Sequence, residues 1–244
     1  MLRFAVVIPA YNEAVTIRDI AARALKICPQ VIVVDDGSVD GTARALDGLA
    51  VQLLRNDRNL GKAASLWRGA QAALASGVDA VVTLDGDGQH APEDISRLMA
   101  AAQQNPGSIV IGARLADRHA IPKLRYFGNR VAVFWLSWAC GQRLGDSQSG
   151  FRVYPAELFG KVSIAHDRQH GFVFESEILI EAARHGHRCV MVPIAAIYRA
   201  GARVSYFRHL DTLRIIRMVA WKLMSRGLYL QGFYRAFLKP TART

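Results

Sequence analysis

The feature that most constrains this chain is an alternation. Over the first 115 residues, short runs rich in β-branched residues are separated by stretches whose apolar residues recur at helical spacing. Strands are expected at 3–9 (RFAVVIP), 31–36 (VIVVDD), 51–55 (VQLLR), 80–85 (AVVTLD) and 108–113 (SIVIGA). Between them, Ile17, Ile20, Ala24 and Ile27 form one amphipathic face, and Leu66, Ala70 and Ala73 form another. Pro92, two acids and then Ile95, Leu98 and Met99 mark a third helix start. Such alternation specifies βαβ units, hence an α/β fold with a Rossmann-like, mostly parallel sheet flanked by helices. With 244 residues, 51% of them hydrophobic, and no linker-like stretch, the chain can build one large core. It reads as a domain over residues 1–205 followed by a basic amphipathic helical extension over 206–244.

In open parallel sheets, ligands bind beyond the carboxyl ends of the strands. Three polar clusters fall there: PAYNE (9–13), DDGS (35–38) and DGDGQH (85–90). They are expected to converge on one crevice. The last sets Asp85 and Asp87 two residues apart, so that unpaired they would repel and raise each other's pKa. A divalent cation removes that penalty. Oxygen donors suit Mg²⁺ or Mn²⁺, which commonly join one or two carboxylates to a substrate's phosphates. Gln89 and His90 could supply a further oxygen ligand or a supporting hydrogen bond. The plain alternative is a solvated turn, since Asp and Gly are frequent turn residues.

In VVDDGSVDGT, Asp35 or Asp36 could accept hydrogen bonds from a nucleobase edge or a ribose. The simpler account is a strand followed by a helix start, with Ser38 and Asp40 satisfying free amides. Neither GxGxxG nor GxxxxGK[ST] occurs, which argues against a nicotinamide enzyme and a P-loop NTPase. Cys28, Cys140 and Cys189 are odd in number and far apart, so neither a disulfide framework nor a CxxC metal site is expected, and a reducing cytosol is the default. His119, His166, His170, His185 and His187 show no paired ligand spacing and read as structural or exposed.

Taken in order, VVIPAYNEAVTI, VVDDGSVDGT, NLGKAASLWRGAQAA, LDGDGQHAPEDI and DSQSGFRVYP resemble the family 2 glycosyltransferases over about the first 205 residues. The subgroup they resemble is the polyprenyl-phosphate sugar transferases typified by dolichol-phosphate mannose synthase. The resemblance implies a GT-A fold and an inverting, metal-dependent transfer from a GDP- or UDP-sugar to a polyprenyl phosphate. It implies that Pro9, Tyr11 and Glu13 line the nucleoside pocket and that Asp35 and Asp36 contact base or ribose. Asn59, Gly61 and Lys62 match a turn near the nucleotide, with Ala63 in place of a second glycine. Asp85 and Asp87 match the metal-holding DxD, and Gln89 a further ligand. Arg114 and Arg130 resemble arginines that grip the acceptor phosphate, and Asp146 an acid characteristic of the subgroup. Arg199, Arg203 and Ser205 fall where relatives place a basic loop closing over donor and acceptor. Transfer to a hydroxyl of a lipid or glycan is the enzymatic alternative. A nucleotide-sugar-binding or scaffold protein without turnover is the alternative of another class. Glu175 and Glu177 open an apolar helix, and helix-dipole stabilisation is preferred over a catalytic base for them.

The net charge of +11 is unevenly placed. From Arg199 onward ten Lys and Arg residues face one acid, Asp211. In 207–238, Leu210, Leu213, Ile216, Ala220, Leu223 and Met224 form the expected apolar side, and Arg208, Arg214, Lys222 and Arg226 much of the other. That pattern suits an anionic membrane interface, with Trp221, Tyr229, Phe233 and Tyr234 at headgroup depth. The most lipid-like stretch, VAVFWLSWACG at 131–141, is about half the roughly 20 residues a spanning helix needs. A peripheral location on the inner face of the cytoplasmic membrane is therefore expected, with no transmembrane helix. Trp135 and Trp138 read as core, with a membrane-facing role as the other option. No nucleic-acid module accompanies the charge. Packing of the helix within a homodimer is the other alternative.

Overall fold

The computed structural model describes residues 1–114, 123–164, 171–195, 197 and 209–239, the side chains of 123–129, 171–172 and 209–213 excepted. Five strands lie at or within one or two residues of their expected bounds: β1 (Phe4–Ala10), β2 (Val31–Asp35), β3 (Gln52–Arg55), β4 (Ala80–Thr83) and β5 (Ile109–Ala113). Two more complete the sheet, β6 (Arg152–Pro155) and β7 (Cys189–Pro193), in the order β3-β2-β1-β4-β6-β5-β7. All neighbouring pairs are parallel except those of β6, which runs antiparallel to both β4 and β5.

β1 sits at the topological switch. The chain leaves it through β2 and β3 on one side and returns at β4 on the other, which opens a crevice at the carboxyl ends of β1 and β4. Side chains alternate across β1, so that Ala5 and Val7 enter one core and Phe4, Val6 and Ile8 the other. The second core is closed by α1 (Ile17–Leu25) and α3 (Ile95–Gln104), whose buried faces include Ile17, Ile20, Ala24, Ile95 and Leu98.

Helices α2 (Lys62–Ala75), α4 (Lys123–Cys140), α6 (Gly171–Arg184) and α7 (His209–Met224) cover the first core, and α5 (Ala156–Lys161) follows β6 directly. α2 lies close on the sheet because Gly69 leaves room: a Cβ there would stand 2.4 Å from Val7 Cγ1. Within α7 the buried row is Ile215, Val219 and Leu223. Of the apolar side expected from sequence, Leu223 faces inward, but Ile216, Ala220 and Met224 face out, and Leu210 and Leu213 lie outside the described side chains. The reason is a neighbour. α6 offers α7 an apolar seat and two carboxylates, and Lys222 turns inward to pair with Glu177 at 2.9 Å and with Glu181.

Candidate functional site

Three strand ends meet as expected. The Asp36 amide donates to the Ala10 carbonyl at 2.8 Å, joining the ends of β2 and β1. The Thr16 hydroxyl donates to the Gly86 carbonyl at 2.6 Å, joining the base of α1 to the turn after β4. Ser38 and Asp40 do satisfy free amides, but no α-helix starts there; only a short 3-10 turn follows, at Arg44–Leu46. They hold the loop after β1 instead: Ser38 Oγ accepts from the Asn12 amide and Asp40 Oδ2 from that of Ala14. Asn12 has a positive φ of 56°, which a short polar side chain tolerates, and its own oxygen accepts from Val39 N.

Pro9 is buried at the end of β1, and Tyr11 and Glu13 are half-buried on the loop beyond it. The Glu13 carbonyl accepts the first amides of α1, from Thr16 and Ile17. Of the two adjacent aspartates, Asp36 is fully engaged within the chain: Oδ1 accepts from Asn56 Nδ2 and Leu60 N, and Oδ2 from Gly61 N. It shapes the turn that carries Asn59 and Lys62. Asp35 is buried, with Oδ1 on the Ser38 amide and Oδ2 facing Arg55 Nε at 3.3 Å. Gly37 permits this crossing, since its φ is +71° and a Cβ would meet the Arg58 backbone at 2.5 Å. Gly61 enters α2 with φ +96°, and Ala63 points into the core, so a methyl is accommodated at that position.

Lys62 is the first residue of α2, and its ammonium is shared between Asp85 Oδ1 and Glu175 Oε1, each at 2.7 Å. Burial works against both charges of the Lys62–Asp85 pair. The pairing prevails, holding Asp85 below the usual carboxylate range and Lys62 above its ordinary value. Asp87 is shifted the other way, first by burial and next by the negative charge of Asp85, despite the Gln89 amide donating to its Oδ1 at 3.0 Å. Gly150 lies directly over the pair: a Cβ there would stand 2.7 Å from Asp85 Oδ2 and 2.8 Å from Lys62 Nζ.

The sequence favours a helix-dipole role for Glu175. It lies in the first turns of α6, yet it is buried and reaches the crevice floor, because Arg152 anchors α6 there by donating to the Glu175 carbonyl at 2.6 Å. The only sequence signal for this is an acid within the apolar first turns of α6, and Glu177 two residues on carries the same signal. Arg152 is wholly buried and also donates to the carbonyls of Ser149 and Ser147 and to the Tyr154 hydroxyl. His90 is buried against the Phe151 ring, and burial pushes its pKa down to about 4.

Arg114, at the end of β5, reaches Asp146 through Nε at 3.0 Å, and Asp146 also accepts from the Arg114 and Gln148 amides. The Arg114 charge favours the ionised form of both Asp85 and Asp87. Arg130 is exposed on α4 and makes no hydrogen bond or ion pair among the described residues. Arg199, Arg203 and Ser205 lie outside the described residues, as do His119, His166 and His170. The Ile197 amide donates to the Gln89 carbonyl at 3.0 Å.

A carboxylate turn at the switch point of a mostly parallel sheet, flanked by a lysine and an arginine, defines an α/β protein with its candidate site in the crevice where such sheets bind ligands. The model of Glycosyl transferase family 2 matches residues 5–164, and the chain belongs to that family of glycosyltransferases. It is similar to the polyprenol monophosphomannose synthase of Mycolicibacterium smegmatis, 32% identical over 79% of this chain and 76% of that one. The undecaprenyl-phosphate mannosyltransferase of Micrococcus luteus is 27% identical over 92% and 96%. Among solved structures, the glucosyl-3-phosphoglycerate synthase of Mycobacterium tuberculosis, in complex with Mn²⁺, uridine diphosphate and phosphoglyceric acid, shares the GT-A fold. Its TM-score is 0.68 and its identity 22%, over 92% of this chain and 78% of that one.

Proposed function

We propose that this glycosyltransferase moves a sugar from a nucleoside diphosphate to a polyprenyl phosphate at a membrane surface. The observation that supports the acceptor class is the absence of a competent base beside the carboxylate turn among the described residues. Glu175 is tied to Lys62, Asp146 to Arg114, and His90, with its pKa near 4, is a weak base at neutral pH. A hydroxyl acceptor needs such a base. A phosphate monoester, whose second pKa is about 6, is already an anionic nucleophile. The names of the two relatives fit the same class of acceptor.

Asp85, Asp87 and Gln89 would hold the divalent cation. The fit rests on Asp87, a carboxylate made uncomfortable by burial and by Asp85, and on an all-oxygen donor set suited to Mg²⁺ or Mn²⁺. Among the described residues no three His, Cys, Asp or Glu side chains cluster to hold a metal by themselves, which suits a cation shared with a diphosphate. Such a cation stabilises charge on the departing nucleoside diphosphate. Lys62 would orient that diphosphate, Asp146 would fix the fork of Arg114, and Arg114 with Arg130 would receive the acceptor phosphate. Pro9, Tyr11, Glu13, Asp35 and Asn59 would form the nucleoside side, and Arg199, Arg203 and Ser205 the closing loop. Asp36 supports the turn.

The test supplies Mn²⁺ and labelled GDP- or UDP-sugars with either a polyprenyl phosphate or the matching polyprenol. Label entering the organic phase only with the phosphate is the expected result. Equal transfer to the free alcohol would rule out the acceptor assignment.

A further inference from the structure

We infer that the protein docks on anionic lipid through a face built jointly by α4 and the C-terminal turn, and not through α7 alone. This deepens the proposed function by naming the surface that would meet the membrane. Among the described residues no helix is long and apolar enough to cross a bilayer, so contact would be with the interface.

The chain after α7 is bent back onto α4 by an unusual turn. Leu228 and Tyr229 have positive φ values of 62° and 43°, which cost branched or bulky residues free energy and persist only where surrounding packing fixes them. Here the Tyr229 ring lies against Gly141 and Gly232, where a Cβ would come within 3.2 Å and 2.1 Å of it. Its carbonyl accepts from Trp138 Nε1 at 3.2 Å, and the Arg226 guanidinium caps its ring at 3.7 Å from the centroid. The returning segment, residues 230–238, stacks Phe237 on Phe134 at 4.9 Å and sets Phe233 edge-on to Trp138 at 5.3 Å.

Behind this aromatic seam the outer edge stays in water. Val131, Phe134 and Trp135 on α4 are about two-fifths exposed, and Leu230, Tyr234 and Leu238, spaced four residues apart, are 70%, 55% and 62% exposed. An apolar ridge of two helical segments held by a strained turn is a costly thing to leave solvated. Its charge indicates the occupant. Neither Lys123–Cys140 nor Gly227–Lys239 contains a single Asp or Glu, whereas Arg130, Arg235 and Lys239 are exposed on them. A second copy would bring like charges together. An anionic lipid surface neutralises them while the aromatic edges sit at headgroup depth.

Vesicle flotation tests this with phosphatidylcholine alone and with phosphatidylcholine containing phosphatidylglycerol. The native chain should float only with the anionic vesicles, and less as salt is raised from about 0.1 M to about 1 M, which cuts the Debye length from about 10 to about 3 Å. The double variant L230E/L238E changes two side chains already in water, so its melting temperature should match the native one while its vesicle binding falls at least tenfold. It should also lose transfer to long-chain polyprenyl phosphate in vesicles yet keep transfer to a short, water-soluble prenyl phosphate. Undiminished flotation of the variant, equal native binding to neutral vesicles, or a native dimer that the variant converts to monomer without affecting flotation would each overturn the assignment. Absence of transfer to either acceptor by the native chain would instead overturn the proposed function and leave the flotation result standing.

Discussion

At the scale of single residues, the site balances two carboxylates of opposite character. Asp85 is kept ionised by Lys62, whereas Asp87 carries a raised pKa from burial and from its neighbour. A carboxyl raised on folding subtracts stability above its unfolded pKa, near 3.9, and has no effect below it, where both states are protonated. Asp87→Asn should therefore melt higher than the native chain at pH 7 without metal, by about 2–4 °C for each kcal/mol relieved. That gain should vanish in scans below about pH 4, while transfer is lost at all pH values. An unchanged or lower melting temperature at pH 7 would show that Asp87 carries no such burden. Glu175 shares the Lys62 ammonium equally with Asp85, each at 2.7 Å. Glu175→Gln should leave Lys62 wholly on Asp85, in competition with a cation, and weaken Mn²⁺ binding about tenfold, or ~1.4 kcal/mol. Titration of free Mn²⁺ by its paramagnetic resonance signal reads this without turnover, and unchanged affinity would reduce Glu175 to scaffolding. The carboxylate pair was legible in the sequence because strand, turn and like charges adjoin there. Glu175 was not, because its role depends on a lysine 113 residues away in the chain.

At the scale of elements, the first five strands announced themselves by apolar runs, whereas the parallel edge strand β7 was not expected and neither was β6. β6 is four residues long, pairs antiparallel between β4 and β5, and begins with an arginine, a residue type almost never fully buried unless paired. What places Arg152 there is its set of acceptors, three backbone carbonyls and the Tyr154 hydroxyl, which lie in separate segments at 147–154 and 175. Three of them are within five residues of Arg152, but the Glu175 carbonyl is 23 residues away and joins the set only once α6 packs there, so no local pattern could reveal the full set. Arg152→Met keeps much of the length but leaves several buried acceptors unpaired, at about 1–3 kcal/mol each. A loss of at least about 3 kcal/mol is expected in urea unfolding, with Mn²⁺ affinity reduced as well because α6 no longer presents Glu175. A stability within about 1 kcal/mol of native would mean that water replaces the guanidinium.

At the scale of the whole molecule, the sequence invites a division into catalytic domain and basic tail that the packing of α7 complicates. Charge made residues 206–244 look separate, since hydropathy cannot tell a stripe that meets lipid from one that meets another helix. In the fold, Ile215, Val219 and Leu223 belong to the same core as β1, α2, α4 and α6, and Lys222 is held by Glu177 and Glu181. Each such buried aliphatic side chain contributes ~1.5–3 kcal/mol, so three of them rival the ~5–15 kcal/mol by which whole domains are stable. A chain ending at residue 208 should accordingly fail as a soluble enzyme that has merely lost membrane contact. It is expected to expose the α4–α6 surface, bind a hydrophobic dye and lack a cooperative thermal transition. The L230E/L238E variant, which alters only the outer face, should keep the native transition. If the truncated chain instead melts cooperatively near the native temperature and still transfers sugar to a short prenyl phosphate, then α7 is an accessory to the fold, and the charge pattern alone marked the boundary correctly.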